Sequence, residues 1–449
     1  MSMHHATTNR RLLMKLAAAG VTATGISLPA GRLAGAQDAP TVTYWLDVTG
    51  GSDTAQWLID NIVADFNALG GVQVEATMQP NGWTATQTAL AGGAGPDIVV
   101  TPGPSLALEL GRAGQVTPLD DFAAQYGWSE SFSPWAIDLG RVNDQLMSLP
   151  NEVETLVLYY NATLFGNQGW TPPTTIDELT ALAQQVADAG YIPFAHTNAE
   201  WKGTNEWFVG EFFNHIAGPD MVYQALTGAL PWTDQAFVDS LTVLNEYQQN
   251  GWFMGGLDRY YTTPSADATA ALAYGDAAMK IEGSWLISDA LTFFGESGQD
   301  WDWVPMPSST GDVIFDLGIG STYSINANSP VADAAAEFLA YFFSPEAQAN
   351  QVAGAGLAAA PVEIPVDLLG DIDSRQARMI EELNAASSGG DYGYTTWTFW
   401  PPKTETFLID EIERVWAGDL TVEAFLQGVQ DTFTPELEGG EVPPIPARS

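Results

Sequence analysis

Tryptophan is abundant in this chain, and several tryptophans stand in stretches that resemble loops. There are 16 Trp in 449 residues. Trp285 follows Gly283-Ser284, and Trp397 and Trp400 precede a Pro-Pro pair. Flat aromatic faces can pack on the C–H faces of a sugar ring, and the same faces attract a cation. The aromatic candidates for such a site are Trp45, Trp83, Trp207, Trp285, Trp397 and Trp400.

Carboxylates are needed beside such rings, to accept hydrogen bonds from hydroxyls or to balance a cation. Asp47 directly follows the first predicted strand, and Glu154 lies in a strand-like apolar run. Glu152 and Glu154 share a face by the two-residue period of a strand. Asp47 and Glu154 are therefore candidate ligand contacts. The alternatives are a helix-capping or turn role for Asp47 and a solvated strand edge for Glu154.

Few residues are available for metal chemistry. The chain has no Cys, which excludes disulfides, thiolate zinc sites, iron–sulfur clusters and thiol catalysis. Its four His are His4, His5, His196 and His215. Tyr159 and Tyr160 could suggest a ferric site, but neighbouring strand residues face opposite sides. We expect neither a metal nor a cofactor.

Charge and carboxylate spacing restrict the function further. Asp and Glu total 55 against 14 Lys and Arg, a formal net charge of −41. Such a chain repels phosphate backbones and anionic lipid, so we expect no nucleic-acid partner. A glycoside hydrolase would need two carboxylates flanking one bond. The pairs close in sequence are Glu152/Glu154, Asp120/Asp121 and Glu381/Glu382. None has a recognisable catalytic context, and we expect no enzyme and no catalytic residue.

The N-terminus predicts export. Arg10-Arg11 precedes a short, mildly apolar run, and Ala34-Gly35-Ala36 follows it. This order is typical of a secretory signal, and the paired arginines resemble a twin-arginine signal. We expect residues 1–36 to be this signal and the protein to be periplasmic or on the outer face of the cell envelope. An uncleaved N-terminal anchor is the alternative.

Strands and helices alternate after this segment, which predicts an α/β fold with parallel strands. Strands are expected at Thr41–Leu46 and Pro96–Val100, and helices at Trp83–Leu90 and Ser105–Arg112. Ligands of such sheets lie beyond the carboxyl ends of the strands. Asp47 and Thr101 are therefore placed near any cleft.

From about residue 175 onward the sequence predicts several helices and ends in a polar tail. Thr175-Ile176-Asp177-Glu178 is a capping box that predicts a helix to about Ala189. A strand is expected at Ala278–Glu282. The tail from Pro435, rich in Pro and Glu, is expected to fray. Further helices are predicted at Trp207–Ile216, Asp234–Asn250 and Ala266–Tyr274 and over most of Ser374–Phe433.

Several segments, taken in order, resemble the extracellular solute-binding proteins of ABC importers, in the carbohydrate branch that includes maltose-binding protein. Each motif is short, but six in family order span almost the whole chain after the signal. They are the segments Gly95–Val99, Gly114–Asp120, Leu149–Asn161, Pro172–Leu179, Ala278–Trp285 and Ala334–Gln348.

The resemblance implies a two-lobed periplasmic-binding-protein fold of type II, in which hinge strands join two α/β lobes. Lobe one would hold residues 37–150 and 316–360, and lobe two residues 151–315 and 361–449. The resemblance also supports Trp207, Trp285 and Glu154 as ligand contacts. Thr101 stands where the maltose-binding sequence has a Trp. This departure argues against maltodextrin as the ligand.

The implied function is capture of a sugar or related polyol by a monomer that delivers it to the membrane permease subunits of an ABC importer. The carboxylates and rings would equally suit a polyamine or another small cation, which is the alternative ligand class. A lattice or adhesion protein without a small ligand would not need paired lobes or loop tryptophans.

Overall fold

The computed structural model describes residues 39–48, 53–390 and 392–448. The predicted signal, residues 1–36, lies outside these described residues. From Pro40 onward the chain forms one compact unit. Among the described helices, none combines the length and the apolar character needed to cross a bilayer.

The strands β1 to β12 of the described residues include four of only two or three residues. In chain order they are Thr41–Asp47, Gln73–Gln79, Ile98–Thr101, Arg141–Val142, Gln145–Leu146, Leu149–Glu154, Leu156–Asn161, Ile192–Phe194, Ala277–Gly283, Trp301–Pro305, Phe315–Ile325 and Tyr392–Tyr394.

The helices α1 to α22 are interrupted by two π-helical segments, Ile59–Val63 and Phe213–Ala217. In chain order the helices are Asp53–Leu58, Ala64–Leu69, Gly82–Ala91, Pro104–Arg112, Asp120–Tyr126, Trp128–Ser131, Pro134–Asp138, Ala162–Gln168, Ile176–Asp188, Thr204–Phe212, Pro219–Leu226, Gln235–Gln249, Leu257–Tyr260, Ser265–Tyr274, Leu286–Ser297, Ala332–Phe342, Pro345–Ala355, Val366–Leu369, Ser374–Gly389, Thr396–Phe399, Pro402–Trp416 and Val422–Glu438.

Two main sheets form the framework of the described unit. The first has the order β12-β11-β3-β1-β2, with β6 also paired to β11. The second has the order β10-β7-β9-β8. Strands β1, β2 and β3 are parallel, as the alternation of strands and helices predicted. Their carboxyl ends therefore meet at one edge of the first sheet.

The chain passes from one sheet to the other at Thr155. Strand β6 pairs with β11 in the first sheet, and β7 pairs with β9 and β10 in the second. The motif Leu149–Asn161 is thus two consecutive strands that belong to different sheets. Strand β12, which we assigned to the second lobe, pairs with β11 in the first sheet.

Each sheet has its own apolar core. The core around the first sheet includes Val42, Tyr44, Ile98 and Phe338. The core around the second sheet is larger and includes Leu158 and many aromatic side chains of the C-terminal helices. Burial of these side chains is the main force that holds the helices on the sheets.

The capping box is present where the sequence predicted it. Thr175 Oγ1 accepts a hydrogen bond from the N–H of Glu178 at 3.2 Å, and Glu178 accepts one from the N–H of Thr175 at 3.3 Å. Helix α9 follows, from Ile176 to Asp188. The two bonds satisfy backbone donors that the first helical turn leaves free.

The prediction that the C-terminal tail frays is wrong. Helix α22 continues through Pro435 to Glu438. Beyond it, Tyr394 Oη donates to the carbonyl of Pro446 at 2.7 Å, and Arg448 donates to the carbonyl of Tyr392. The tail also contributes Ile445 to the larger core. The composition of the tail did not predict this, because its order depends on two specific contacts. Ile445 packs into the larger core, and Arg448 bonds to β12.

Candidate ligand-binding site

Three tryptophans that are far apart in the sequence meet in the structure. The ring centroids of Trp207 and Trp285 are 5.1 Å apart, those of Trp285 and Trp397 are 6.1 Å apart, and those of Trp207 and Trp397 are 6.2 Å apart. All three pairs are edge-to-face. We call these three residues the tryptophan cluster. Because the rings touch one another, they present one continuous aromatic surface.

Rigid elements position each ring of the cluster. Trp207 is on helix α10 and Trp397 is in the short helix α20. Trp285 directly precedes helix α15, two residues after β9 ends. Trp207 and Trp285 are partly exposed, whereas Trp397 is 8% exposed. The Nε1–H of Trp397 is buried and has no hydrogen-bond partner among the described residues.

Glu154 lies beside Trp397, and two glycines of β11 make room for both. A Cβ on Gly318 would lie 2.8 Å from the Trp397 ring, and a Cβ on Gly320 would lie 2.3 Å from the Glu154 carboxyl carbon. Residues two apart in a strand face the same side. The aromatic surface and the carboxyl group are therefore neighbours on one face of β11.

The environment of Glu154 favours its protonated form. Burial raises the pKa of Glu154 well above its usual range, and the negative charge of Glu152 raises it further. Glu152 itself has a φ of 59°, which breaks the strand alternation. Its carboxylate accepts a hydrogen bond from Ser321 Oγ at 2.6 Å. A neutral Glu154 offers one O–H donor and an acceptor, a combination that suits a hydroxyl group.

A buried chain of polar groups fixes the Trp285 ring. The Nε1–H of Trp285 donates to Glu282 Oε1 at 3.1 Å. The other carboxylate oxygen, Oε2, lies 3.4 Å from Lys280 Nζ, which in turn donates to Thr269 Oγ1 at 3.1 Å. Lys280 and Glu282 are 2% and 6% exposed. Glu282 is thus a positioning residue for Trp285.

The other predicted contacts of the first sheet lie together at the carboxyl end of β1. Trp45 is partly buried in that strand, and Asp47 is its exposed last residue. Asp47 Oδ2 accepts from the N–H of Trp83 at 3.4 Å, at the start of helix α3. This contact corresponds to the capping alternative for Asp47. Trp83 packs against a small apolar cluster that includes Leu90 and Val99.

Two predicted contacts are structural residues in the described fold. Thr101 is fully buried, and its Oγ1 is 2.5 Å from Thr322 Oγ1 and 2.8 Å from the carbonyl of Gly103. Trp400 is also fully buried, with its ring centroid 4.1 Å from that of Trp232. Both side chains are enclosed by protein, so we leave them out of the proposed site.

A cavity of about 860 Å³ is a second candidate for the ligand site. It is lined by Val153, by Ser284, by the loop 356–364 and by helix α19, and none of the clustered tryptophans lines it. Its acidic side chains are exposed ones. The tryptophan cluster is the stronger candidate among the described residues, because it places stacking rings beside a buried carboxyl group.

Sequence reasoning missed the residues that support the site. Gly318 and Gly320 matter because they have no side chain, and their partners in space are distant in sequence. The sequence places Glu282 in a strand motif, but it does not show the hydrogen bond that Glu282 accepts from Trp285. The G-x-G spacing in β11 was the available signal, since glycines two apart in a strand leave one face open.

Residues 61–365 match the family of bacterial extracellular solute-binding proteins. This match covers more than half of the chain. The chain belongs to that family. The members of this family are binding proteins. The tryptophan cluster is therefore interpreted as part of a solute-binding protein.

Individual members show how far the likeness extends. This solute-binding protein is 23% identical over 433 residues to a probable sugar-binding periplasmic protein of Brucella suis, covering 92% of this chain and 96% of that protein. It is 26% identical over 222 residues to the osmoprotective compounds-binding protein GgtB of Synechocystis sp., covering 48% of this chain. The match to GgtB spans 52% of the length of GgtB. The matches to two further relatives also span less than two thirds of those proteins' own lengths.

The solved structures support the fold. A chitin oligosaccharide binding protein superimposes with a TM-score of 0.76 at 20% identity, covering 90% of this solute-binding protein and all of that chain. The expected two-lobed type II fold is thereby confirmed.

Proposed function

We propose that this solute-binding protein captures a sugar or related polyol between its two lobes and delivers it to the permease of an ABC importer. The observation that carries the proposal is the tryptophan cluster beside the buried carboxyl group of Glu154. Sugar rings need both a flat apolar face and hydrogen-bonding groups at their edge.

The two faces of the cleft would contribute different groups. The tryptophan cluster would stack on the ligand, and the carboxyl group of Glu154 would bond its hydroxyls. Asp47 and Trp45, at the carboxyl end of β1, would approach from the first lobe. Closure about the hinge strands β6 and β7 would bring the two sets together, and the ligand would favour the closed state.

The cellular setting follows the same proposal. Residues 1–36 would direct export by the twin-arginine route, and residues 37–449 would act as a monomer in the periplasm or at the outer face of the envelope. The lobes would consist of residues 37–150 with 316–360 and residues 151–315 with 361–449. Its partners would be the sugar and the permease subunits, and no catalytic step is needed.

Thermal unfolding against a panel of mono-, di- and oligosaccharides, polyols and polyamines tests this proposal. A ligand that binds only the folded state raises the Tm in a concentration-dependent way. We expect a shift with at least one saccharide or polyol. A shift with polyamines alone would contradict the sugar assignment and turn the site into a cation cage.

Calorimetry in buffers of different ionisation enthalpy separates the two ligand classes independently. Burial raises the pKa of Glu154, so a cation would have to ionise this group and release a proton. A sugar can bond the neutral carboxyl group, and its binding enthalpy should not vary with the buffer. Proton release upon binding would favour the cation.

A further inference from the structure

A second group of chemically competent side chains lies outside the tryptophan cluster. His215 Nε2 is 3.4 Å from Glu211 Oε2 and 3.8 Å from Asp316 Oδ1. One potential ligand atom from each of these three residues lies within 4.8 Å of the others. We call them the Glu-His-Asp group. The sequence analysis saw too few histidines for a metal site, and the fold joins one of them to two distant carboxyl groups.

Regular elements hold all three side chains. Glu211 is on helix α10, and His215 is in the π-helical segment that continues it. Residues four apart on a helix lie on one face. Asp316 comes from β11, opposite Gly393 of β12. A Cβ on Gly393 would lie 1.8 Å from Asp316 Oδ1, so this glycine leaves space for the carboxyl group.

The group is buried and lacks hydrogen bonds. Its side chains are at most 1% exposed. Both ring nitrogens of His215 and all four carboxyl oxygens lack a hydrogen bond of normal geometry to the described residues. Buried polar groups normally have a hydrogen-bond partner, so a group without one calls for an explanation such as an ion. Arg448 is the positive charge that acts on Asp316, but it pairs with Asp220 at 3.1 Å.

The donor set selects one class of ion. An imidazole nitrogen with two carboxylates suits zinc, whereas calcium and magnesium prefer oxygen ligands alone. Tetrahedral zinc with bonds of roughly 2.0–2.1 Å places its ligand atoms about 3.3 Å apart. The 3.4 Å between His215 Nε2 and Glu211 Oε2 is close to that value. Two carboxylates would also balance the charge of a divalent ion.

We propose that Glu211, His215 and Asp316 bind one divalent zinc-type ion, which fastens helix α10 to strand β11. The ion is structural and goes beyond the proposed sugar binding. Asp316 is two residues before Gly318, the glycine beneath Trp397, and Glu211 is four residues after Trp207. The ion therefore ties together two of the elements that carry the tryptophan cluster.

Zinc titration of the purified, chelator-treated protein tests the proposal. Millimolar magnesium and calcium should be present, because the 55 Asp and Glu residues bind cations weakly at the surface. We expect one tight equivalent of zinc and a rise in Tm. Glu211→Gln and Asp316→Asn should each lose this equivalent. The matched control is Glu206→Gln, a carboxylate on the same helix that is 2% exposed and should keep it.

Two results would overturn the proposal. One is no zinc-dependent rise in the Tm of the unmodified protein, which would indicate that the two carboxyl groups share a proton instead. The other is equal zinc binding by the unmodified protein and Glu211→Gln. If the variants do not fold, X-ray absorption at the zinc edge of the unmodified protein decides. Imidazole scattering with ligands at roughly 2.0–2.1 Å supports the site, and an all-oxygen shell contradicts it.

Discussion

Trp397 and Glu154, which are separated by more than 240 positions in the chain, lie side by side on one face of strand β11. Gly318 is beneath the Trp397 ring and Gly320 is beneath the Glu154 carboxyl group. Glu154 also pairs with Gly318 across the strands. Strands β6 and β11 thus build the floor of the proposed site together.

Adding a methyl group to that floor should weaken ligand binding. In Gly320→Ala the new Cβ would overlap the carboxyl group of Glu154, which must move away from its present position. We expect a loss of about 10- to 100-fold in affinity, the size of a lost hydrogen bond to a ligand at about 1.5–3 kcal/mol. Isothermal titration calorimetry measures this directly.

Gly295→Ala is the matched control for that substitution. Gly295 lies within helix α15 and has nothing within 4 Å of an added Cβ. Its affinity should be unchanged and its Tm equal or slightly higher, since Ala favours a helix by about 1 kcal/mol. Unchanged affinity in Gly320→Ala would show that Glu154 does not touch the ligand.

Removal of a clustered ring should cost most of the affinity and leave the fold intact. In Trp285→Ala the protein loses a partly exposed ring that contacts both other members of the cluster. We expect a loss of more than 2 kcal/mol of binding free energy, typical of a central aromatic contact at about 2–4 kcal/mol. Titration with the ligand found in the panel, together with circular dichroism, measures both properties.

Trp201→Ala controls for the loss of a tryptophan in general. Trp201 is 55% exposed, so its removal should change neither affinity nor Tm appreciably. If a folded Trp285→Ala variant binds as tightly as Trp201→Ala does, the tryptophan cluster is not the ligand site.

Glu282 should affect ligand binding through the orientation of Trp285. In Glu282→Gln the side chain keeps its size, but the buried ammonium group of Lys280 loses its ion-pair partner. We expect a lower Tm and a loss of about 3- to 10-fold in affinity. Glu282→Asp keeps the charge and should recover part of the Tm. A shift in the fluorescence of the tryptophans with Glu282→Gln alone reports the displaced ring, and an unchanged spectrum argues against this role.

Stability should fall as the pH rises through neutrality. Glu206 and Glu405 form a coupled pair in which burial raises the pKa of Glu206 well above its usual range and that of Glu405 to about 8. The folded chain therefore holds protons that the unfolded chain releases near pH 4.5. Because the folded state binds more protons, the free energy of unfolding decreases between about pH 4.5 and pH 8.

Chemical denaturation at pH 5, 6.5 and 8 measures this dependence. Glu405→Gln should make the slope shallower, since the amide does not titrate, while Glu206 and Glu154 still contribute. Glu423→Gln, an exposed residue of helix α22, removes the same charge and should retain the slope. Equal slopes in both variants would mean that general charge repulsion in this acidic chain, rather than the buried pair, sets the pH dependence.

Local patterns predicted much of the secondary structure correctly. Strand β1, helix α9 with its capping box and the parallel order of β1 to β3 depend on residues close in sequence or on short-range periodicity. The tail after Glu438 was mispredicted because its composition is typical of loops, whereas its partners Tyr392 and Tyr394 are about 50 residues away.

The candidate site was predictable only in part. Trp207, Trp285, Trp397 and Glu154 were named from the sequence because their residue types suit a polar ring ligand. Trp400 has the same residue type and stands three positions from Trp397, yet it is enclosed in the core. Residue type alone could not distinguish the two, because the short helix α20 turns one ring towards the cluster and the other towards Trp232.

The sequence by itself determined the family, the α/β class and the kinds of groups that would meet a ligand, since these depend on motifs, periodicity and side-chain chemistry. Only the tertiary structure decided which tryptophans meet, why Gly318 and Gly320 must lack side chains, and that His215 joins Glu211 and Asp316. These contacts join segments up to 190 residues apart, such as Trp207 and Trp397, and they exist only in the folded chain, where β11 pairs with β6 and β12.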